Sequence, residues 1–371
     1  MAGFECSTGW NSHGRAIDQI AATQHDRFLR EDYRLLKQAG LYVAREGVRW
    51  PLIDRDGEYN FDSLQAIMEA SQQHGIELIY DLFHFGYPQY LDLFSPAFIS
   101  RFADYCFEAA RCVVAGSDGP YYFTPVNEPS YFAWAAGEAG LFAPYATGRG
   151  PELKRRLIQA AIQGINAIRA VCPSARFVNA DALCRVVAPP GNAELQRHAD
   201  EFNSVAVFES WDMLCGRKHP EYGGSSSHLD IIGINYYWTN QWQIDQRGIP
   251  LAEGDPRRWP LHKLVKSVSR RYEADLIVSE TSHINDMRAP WIHEVVREVK
   301  LIQKENLPLH GICLYPILGM PEWHDESLWT RMGLWDLVEV DGRLERVPYM
   351  PMLDALEKGQ RRLQRERIGG I

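Results

Sequence analysis

The sequence predicts a single α/β domain folded as a (β/α)8 TIM barrel. Short apolar runs alternate with longer amphipathic runs along all 371 residues. Eight such pairs can be counted, which is the number that closes a parallel barrel. No linker, internal repeat or low-complexity tract divides the chain, so we expect residues 1–371 to form one domain.

The strand candidates are short runs rich in β-branched and aromatic residues. They cover residues 2–6, 42–48, 76–83, 121–126, 175–180, 229–235, 275–280 and 310–316. Between and after them, apolar residues recur at three- and four-residue spacing, which predicts helices. These helices cover residues 25–39, 62–74, 96–115, 151–171, 192–214, 260–273, 290–306 and 349–366. Boundary signals support several of them, because Pro96 and Pro151 stand at helix starts and Gly40 and Gly75 at helix ends.

The main alternative fold is a doubly wound open sheet, which also alternates strands with helices. That fold places a glycine-rich, phosphate-binding turn after its first strand. The segment that follows the first strand here, Ser7-Thr8-Gly9-Trp10, is not such a turn. The barrel is therefore the preferred prediction.

Composition excludes several classes of function. A net charge of −9 gives no basic surface for nucleic acid or anionic membranes. No apolar run approaches the roughly 20 residues of a membrane-spanning helix, and the N-terminus lacks the basic start of a signal peptide. The seven cysteines are an odd number without metal-binding spacing. We therefore expect a soluble, cytoplasmic protein that binds neither nucleic acid nor membrane.

Polar residues at the carboxyl ends of barrel strands form the active site of this fold. Most strand candidates here end in such residues, and together they supply carboxylates, amides, an imidazole and an indole. The set comprises Glu5, Arg45, Glu46, His84, Asn127, Glu128, Asp181, Asn235, Tyr237 and Glu280, with Glu322 and Trp323 after the last strand. Such groups bind a polyhydroxylated ring, and a pair of strand-end glutamates is what cleavage of a glycosidic bond requires.

Several short motifs occur in an order that resembles one known family. They are Arg45 with Trp50-Pro51, His84 to Leu91 (H-F-G-Y-P-Q-Y-L), Asn127-Glu128-Pro129, Gly233 to Tyr237 (G-I-N-Y-Y), Glu322-Trp323 and Arg331 to Leu334 (R-M-G-L). Over residues 25–337 the chain is similar to glycoside hydrolase family 1, the β-glucosidase type. This family belongs to the clan of barrel glycosidases whose catalytic glutamates follow strands four and seven.

The resemblance implies a retaining β-glycosidase. Glu280 is then the nucleophile and Glu128 the acid/base, while Arg45 and Tyr237 orient Glu280 and keep it ionised. The substrate-binding residues implied are His84, Asn127, Asn235, Tyr237, Glu322 and Trp323. The expected partner is a small glycoside or oligosaccharide, non-phosphorylated because Glu322 is acidic. No metal or organic cofactor is implied, and a homo-oligomer is left open.

Three departures from the family pattern leave alternatives open. The nucleophile motif T-E-N-G appears here as Ser279-Glu280-Thr281-Ser282, and the first-strand Q-x-E-G element is not recognisable. Glu5 or His13 is the candidate replacement for its sugar-binding glutamine. The chain is also short for the family, which predicts trimmed substrate loops. The alternatives are another family of the same clan, a transglycosidase, or a sugar-binding barrel without catalysis.

Overall fold

The computed structural model describes residues 1–368, and a closed parallel barrel of eight strands organises them. The strands are β1 (Ala2–Gly3), β2 (Val43–Gly47), β3 (Glu77–Asp81), β4 (Tyr122–Thr124), β5 (Arg176–Ala182), β6 (Ile231–Asn235), β7 (Asp275–Thr281) and β8 (Leu309–Leu314). The barrel closes because β1 pairs in parallel with both β2 and β8. The predicted TIM barrel is confirmed and the open-sheet alternative is wrong. The last three residues of the predicted domain, 369–371, lie outside the described residues.

A long helix follows each strand and covers the outside of the barrel. These helices are α1 (His25–Gln38), α2 (Asp62–His74), α3 (Pro96–Gly116), α4 (Gly150–Val171), α5 (Ala193–Ser204), α6 (Leu261–Arg271), α7 (Arg288–Lys304) and α8 (Met350–Ile368). The boundary signals act as predicted, because proline stands in the first turn of α3 and α4. Gly75 ends α2 with φ of +66°, a conformation that glycine adopts without steric cost.

The predicted helix 192–214 is wrong in its extent. It divides into α5, a short 3-10 turn at Ala206–Phe208 and a helix at Glu209–Leu214. The break lies at Val205, whose φ of −126° and ψ of −63° are not helical. The change of direction lets the buried Trp211 indole donate a hydrogen bond of 3.0 Å to the carbonyl of Asn179 on β5.

Short strand pairs in the loops were not predicted. Four are antiparallel hairpins, at Thr8–Trp10 with Ala16–Asp18, Asp54–Arg55 with Glu58–Tyr59, Met320–Pro321 with Trp329–Thr330, and Trp335–Val340 with Arg343–Pro348. A parallel pair joins Arg185–Val187 to Gln241–Gln243. Most of these strands have only two or three residues, which is too few to show the apolar alternation that identifies a strand in a sequence. The exception is the hairpin of Trp335–Val340 with Arg343–Pro348, whose six-residue strands lie beyond the last predicted barrel strand.

The barrel interior is apolar at one end and polar at the other. Ile79 on β3 lies opposite Arg45 in the parallel ladder, so both side chains point to the same side of the sheet. Ile79 packs with Val178, Ile231 and Ile277 from three other strands in a small buried cluster. This apolar layer fills the interior on the amino-terminal side of the polar residues. The polar side chains therefore lie at the carboxyl ends of the strands. In the described part of the chain, no helix is long and apolar enough to cross a membrane.

Candidate active site

Glu128 lies just beyond β4, in a sharp turn of the backbone. Its φ of +46° and ψ of +56° are in the left-handed region, which is unfavourable for a residue other than glycine. Two backbone hydrogen bonds hold the turn, because the amides of Asn127 and Glu128 donate at 2.9 Å to the carbonyls of Phe83 and Ala180. Pro129 then begins a helical segment. The turn directs the Glu128 carboxyl away from the strand and leaves it partly accessible.

Glu280 lies inside β7 and is 4% exposed. Both oxygens of its carboxylate accept hydrogen bonds. An Arg45 guanidinium nitrogen donates to Oε1 at 3.0 Å, and the Tyr237 hydroxyl donates to Oε2 at 2.8 Å. The carboxylate is therefore fixed in orientation by a cation and a phenol.

Arg45 connects three strands across the barrel mouth and is fully buried. One of its terminal nitrogens donates to Glu280 and to the Ser279 carbonyl, the latter at 2.8 Å. The other donates to Asp81 Oδ2 at 2.6 Å and to Asn127 Oδ1 at 3.1 Å. A buried cation needs such anionic partners to offset its desolvation. Arg45 therefore fixes the position of the proposed nucleophile and of the asparagine that precedes Glu128.

Asn235, at the end of β6, holds Glu128. Its side-chain nitrogen donates to Glu128 Oε1 at 2.9 Å, and the same nitrogen lies 3.4 Å from Asn127 Oδ1. The Ser279 hydroxyl donates to Asn235 Oδ1 at 2.6 Å, which fixes the amide orientation. Among residues 1–364, whose side chains are described, no other residue makes a hydrogen bond with the Glu128 side chain. One neutral donor thus serves Glu128, whereas two donors serve Glu280.

His84 lies beside this network. Its Nε2 is 3.2 Å from the side-chain nitrogen of Asn127, and its Nδ1 is 3.1 Å from Cys6 Sγ. The ring is parallel to that of Tyr315, with centroids 5.9 Å apart. Glu5 Oε1 lies 3.9 Å from His84 Nε2.

Glu5 is the better placed of the two candidates for the missing first-strand glutamine. It is buried, and its Oε1 accepts hydrogen bonds from the amide and hydroxyl of Ser7. This turn also explains why β1 ends at Gly3 rather than at the predicted residue 6. His13 lies in an exposed hairpin turn, and within the described part of the chain it makes no contact with Glu128 or Glu280.

Cys6, Asp81 and His84 each bring one potential metal ligand to the same place. The three donor atoms lie within 4.8 Å of one another. However, Asp81 Oδ2 also accepts a 2.6 Å hydrogen bond from Arg45, whose positive charge disfavours a second cation there. The contacts between these residues are those of a hydrogen-bonded group supporting His84.

Trp323 and Glu322 lie in the loop after β8 and differ in position. Trp323 is partly buried and packs edge-on against Phe85 and Phe142, with ring centroids 5.9 and 5.7 Å apart. Glu322 is exposed and accepts a hydrogen bond from Thr330 across the hairpin. Phe85 also contacts His84, so Trp323 is connected through Phe85 to the hydrogen-bonded residues around Asn127. The structure does not bring Glu322 into contact with those residues.

Burial and charge separate the two glutamates. Burial, and then the negative charge of Glu280, raise the pKa of Glu128 to about 8, against the Asn235 hydrogen bond that lowers it. Burial also raises the pKa of Glu280 above its ordinary value, while the positive charge of Arg45 and the Tyr237 hydrogen bond oppose that rise. The expected lowering by Arg45 and Tyr237 is therefore present, but burial outweighs it.

Four residues of the site were not singled out from the sequence, namely Cys6, Asp81, Ser279 and Tyr315. Asp81 and Tyr315 were placed inside predicted strands 76–83 and 310–316, whereas β3 ends at Asp81 and β8 ends at Leu314. The rule that strand-end polar residues form the site finds both residues once the strand ends are known.

The curated proteins that the chain resembles include β-glucosidases. The chain matches no protein-family model. It is 31% identical over 135 residues to coniferin β-glucosidase of Pinus contorta, an alignment that covers 34% of this chain and 26% of that enzyme. It is 26% identical over 383 aligned positions to the β-glucosidase of Agrobacterium sp., covering 89% of this chain and 83% of the relative. The first of these alignments spans only about a quarter of the relative's length.

Solved structures show the same fold over almost the whole chain. The β-glucosidase of Thermotoga maritima in complex with deoxynojirimycin superposes with a TM-score of 0.78 at 17% identity, covering 96% of this chain and 95% of that one. The AHE enzyme of Alicyclobacillus herbarius gives a TM-score of 0.77 at 21% identity, covering 91% and 87%. The curated alignments show that the chain is similar to β-glucosidases, and the solved structures show that it shares their barrel fold.

Proposed function

We propose that this protein is a retaining β-glycosidase that hydrolyses non-phosphorylated β-linked glycosides. The observation that carries the proposal is the unequal environment of the two glutamates. Glu280 has a cation and a phenol on its two oxygens, which suits an anionic nucleophile. Glu128 has one amide donor and a pKa of about 8, which suits a group that carries a proton at neutral pH.

In the first step, a Glu280 oxygen attacks the anomeric carbon of the bound sugar. The bond from that carbon to the leaving oxygen breaks, and the Glu128 proton passes to the departing oxygen. The product is a glycosyl ester of Glu280, and Glu128 is left as a carboxylate. Loss of the Glu280 charge on ester formation then lowers the pKa of Glu128, which prepares it to act as a base.

In the second step, Glu128 removes a proton from water, and the water oxygen attacks the same carbon. The ester bond breaks, Glu280 regains its charge and Glu128 regains its proton. Two inversions give overall retention of configuration. This mechanism requires a separation of about 5–5.5 Å between the carboxylates, whereas about 6.5–9.5 Å leaves room for a water and predicts inversion.

The remaining polar groups of the mouth are assigned to the sugar. Asn127 is proposed to bind the 2-hydroxyl, with His84 and Glu5 for the other hydroxyls and Trp323 beneath the ring. Asn235 and Tyr237 act both on substrate and on the two glutamates. Two acidic residues near the sugar site, Glu5 and Glu322, favour a neutral sugar over a phosphorylated one.

Glu322 is proposed to bind sugar through Oε2, because the Thr330 hydroxyl donates only to Oε1. We therefore expect Glu322→Gln to affect KM more than kcat.

All seven cysteines are free thiols, namely Cys6, Cys106, Cys112, Cys172, Cys184, Cys215 and Cys313. That state is typical of a reducing compartment, which supports a cytoplasmic location.

A panel of 4-nitrophenyl β-glycosides tests the proposal. Wild-type protein should release nitrophenol from at least one of the sugars, and the first sugar product should be the β-anomer, observable by NMR before mutarotation. Formation of the α-anomer would contradict retention. If added alcohols accept the sugar faster than water does, the protein is a transglycosidase. Sugar binding without turnover by the folded protein would favour the non-catalytic barrel.

A further inference from the structure

Arg247 lies in the loop between β6 and α6, directly above the helical segment that follows Glu128. Its guanidinium carbon is 3.8 Å from the centroid of the Trp134 ring. Trp134 belongs to the π-helix Ala133–Glu138, which continues the helix that Pro129 begins. Trp134 also contacts Tyr131, with ring centroids 5.8 Å apart. The arginine therefore stacks on an aromatic wall that leads back to Glu128.

The charges of Arg247 and Glu128 both act on the pKa values of Tyr131 and Cys184. Burial raises the pKa of Tyr131, the charge of Glu128 adds to that rise, and the charge of Arg247 opposes it. Burial raises the pKa of Cys184 to about 12, and the same two charges act on it with the same signs. The ring contacts of Arg247 with Trp134 and of Trp134 with Tyr131 connect the arginine to the helical segment that begins directly after Glu128.

Arg247 has no anionic partner among residues 1–364, whose side chains the structure describes. The charge of the Glu138 carboxylate raises the pKa of Arg247, but the two side chains form no ion pair. Glu138 instead accepts a hydrogen bond from the amide of Gly150 at 3.2 Å. Arg247 is exposed, and the partial burial of its stacked guanidinium lowers its pKa. An accessible guanidinium that is held in place by an aromatic ring and has no counter-charge can pair with an anion supplied by a ligand.

The position relative to the reaction decides which part of a substrate meets Arg247. The leaving oxygen takes its proton from Glu128, so the leaving group lies on the Glu128 side of the mouth and away from Glu280. On this side the wall consists of Tyr131 and Trp134, which can stack with a flat leaving group. Arg247 lies at the far end of that wall.

We propose that Arg247 selects β-glycosides whose leaving group is an aromatic ring carrying a carboxylate. This inference rests on the proposed hydrolysis, because the leaving-group side is defined by Glu128. The ring of the leaving group stacks on the Tyr131 and Trp134 wall, and the guanidinium pairs with the carboxylate through its two parallel N–H donors. Arg247 contacts the substrate but takes no part in bond breaking.

A matched pair of substrates isolates the charge. The 4-carboxyphenyl and 4-carbamoylphenyl β-glucosides have the same shape and similarly activated leaving groups, but only the first is anionic. We expect wild-type kcat/KM to favour the carboxylate by about tenfold, the low end for a charge-assisted hydrogen bond at a partly exposed site. The preference should decrease as salt is added, because ions screen exposed charges.

The variants are Arg247→Gln and a control, Arg149→Gln. Arg149 also stacks on an aromatic ring, 3.5 Å from the centroid of Phe94, but it is already paired with Glu152. Arg247→Gln should abolish the preference and leave turnover of the carbamoyl substrate within about twofold of wild type. Arg149→Gln should keep the preference.

Binding of two non-hydrolysable thioglucosides, again carboxyphenyl and carbamoylphenyl, separates this inference from the proposed function. If no glycoside is cleaved but calorimetry shows tighter binding of the carboxylate that Arg247→Gln removes, hydrolysis is wrong and the Arg247 site stands. If glycosides are cleaved without a carboxylate preference, the Arg247 site is wrong. Equal losses for both substrates in Arg247→Gln also overturn it, because the arginine then only fastens its loop to Trp134.

Discussion

The carboxyl ends of β4 and β7 each present a glutamate to the same space, but they are built differently. Glu280 lies within β7, where the pairing with β6 and β8 shifts register, and its side chain is buried. Glu128 lies outside β4, in a left-handed turn ahead of Pro129, and is partly accessible. The buried position within a strand suits a nucleophile that must attack along one line. The turn suits a group that must reach a leaving oxygen and later a water.

The hydrogen bonds of the two regions differ in the same sense. Arg45 and Tyr237 donate to Glu280, and both donors favour its charged form. Asn235 alone donates to Glu128, whose pKa is raised first by burial and then by the charge of Glu280. Two chemically identical side chains therefore have different environments, and the roles proposed for them follow from those environments.

The largest effect is expected from the nucleophile. Glu280→Gln removes the attacking oxygen's charge while keeping the shape of the side chain, so kcat should fall by several orders of magnitude with every leaving group. The control is Glu298→Gln, because Glu298 is also buried but accepts hydrogen bonds from His262 instead. The control should retain most of the activity. Near-normal turnover by Glu280→Gln would mean that the two glutamates do not have distinct roles.

The next effect concerns the cation that distinguishes the two regions. Arg45→Met leaves the buried carboxylates of Asp81 and Glu280 without their shared partner, which should lower the free energy of unfolding by about 3–5 kcal/mol. Urea denaturation measures this loss. In the protein that remains folded, the pKa of Glu280 should rise, so the acid limb of kcat/KM should move to higher pH. An unchanged acid limb would mean that Arg45 stabilises the barrel without acting on Glu280.

A smaller effect is expected from the phenol. Tyr237→Phe removes one hydrogen bond to the Glu280 anion, worth about 1.5–3 kcal/mol, and should raise the pKa of Glu280. The acid limb of kcat/KM should therefore shift to higher pH. Tyr236→Phe is the matched control, because that hydroxyl accepts a hydrogen bond from Gln241 and does not contact Glu280. Equal profiles for the two variants would contradict the role of Tyr237.

The smallest perturbation is a change of pH. Glu128 must carry its proton to act as the acid, and its raised pKa of about 8 keeps that proton at neutral pH. Activity should therefore be retained up to about pH 8 and fall above it as the proton is lost. Glu128→Gln, assayed with a leaving group that needs no proton, should lose this basic limb from its first step. A basic limb that persists in that variant must come from another group.

The barrel and the positions of Glu128 and Glu280 could be predicted from the sequence. The alternation of eight apolar and amphipathic runs is a property of the whole chain, so it predicts the barrel even where single boundaries are wrong. Asn127-Glu128-Pro129 is local, because the apolar run before it and the proline after it both mark the strand end. Glu280 was found by its strand rather than by its motif.

What could not be predicted depends on side-chain geometry or on exact strand ends. The strand predicted at 76–83 ends at Asp81, so the carboxylate that shares Arg45 was hidden inside it. Likewise, Glu322 follows a two-residue strand that pairs with Trp329–Thr330. The Thr330 hydroxyl donates a hydrogen bond to the Glu322 carboxylate. No periodicity in the sequence reports contacts of this kind.

The central claim is that the β7 glutamate is the nucleophile and the β4 glutamate the acid/base. Azide rescue of Glu280→Gly and Glu128→Ala with an activated aryl β-glycoside tests it most directly. Glu280→Gly should give the α-glycosyl azide, because azide attacks from the vacated face. Glu128→Ala should give the β-glycosyl azide, because the covalent intermediate still forms. The α-product from the Glu128 variant would reverse the assignment, and wild-type turnover without azide in the Glu280 variant would contradict the mechanism.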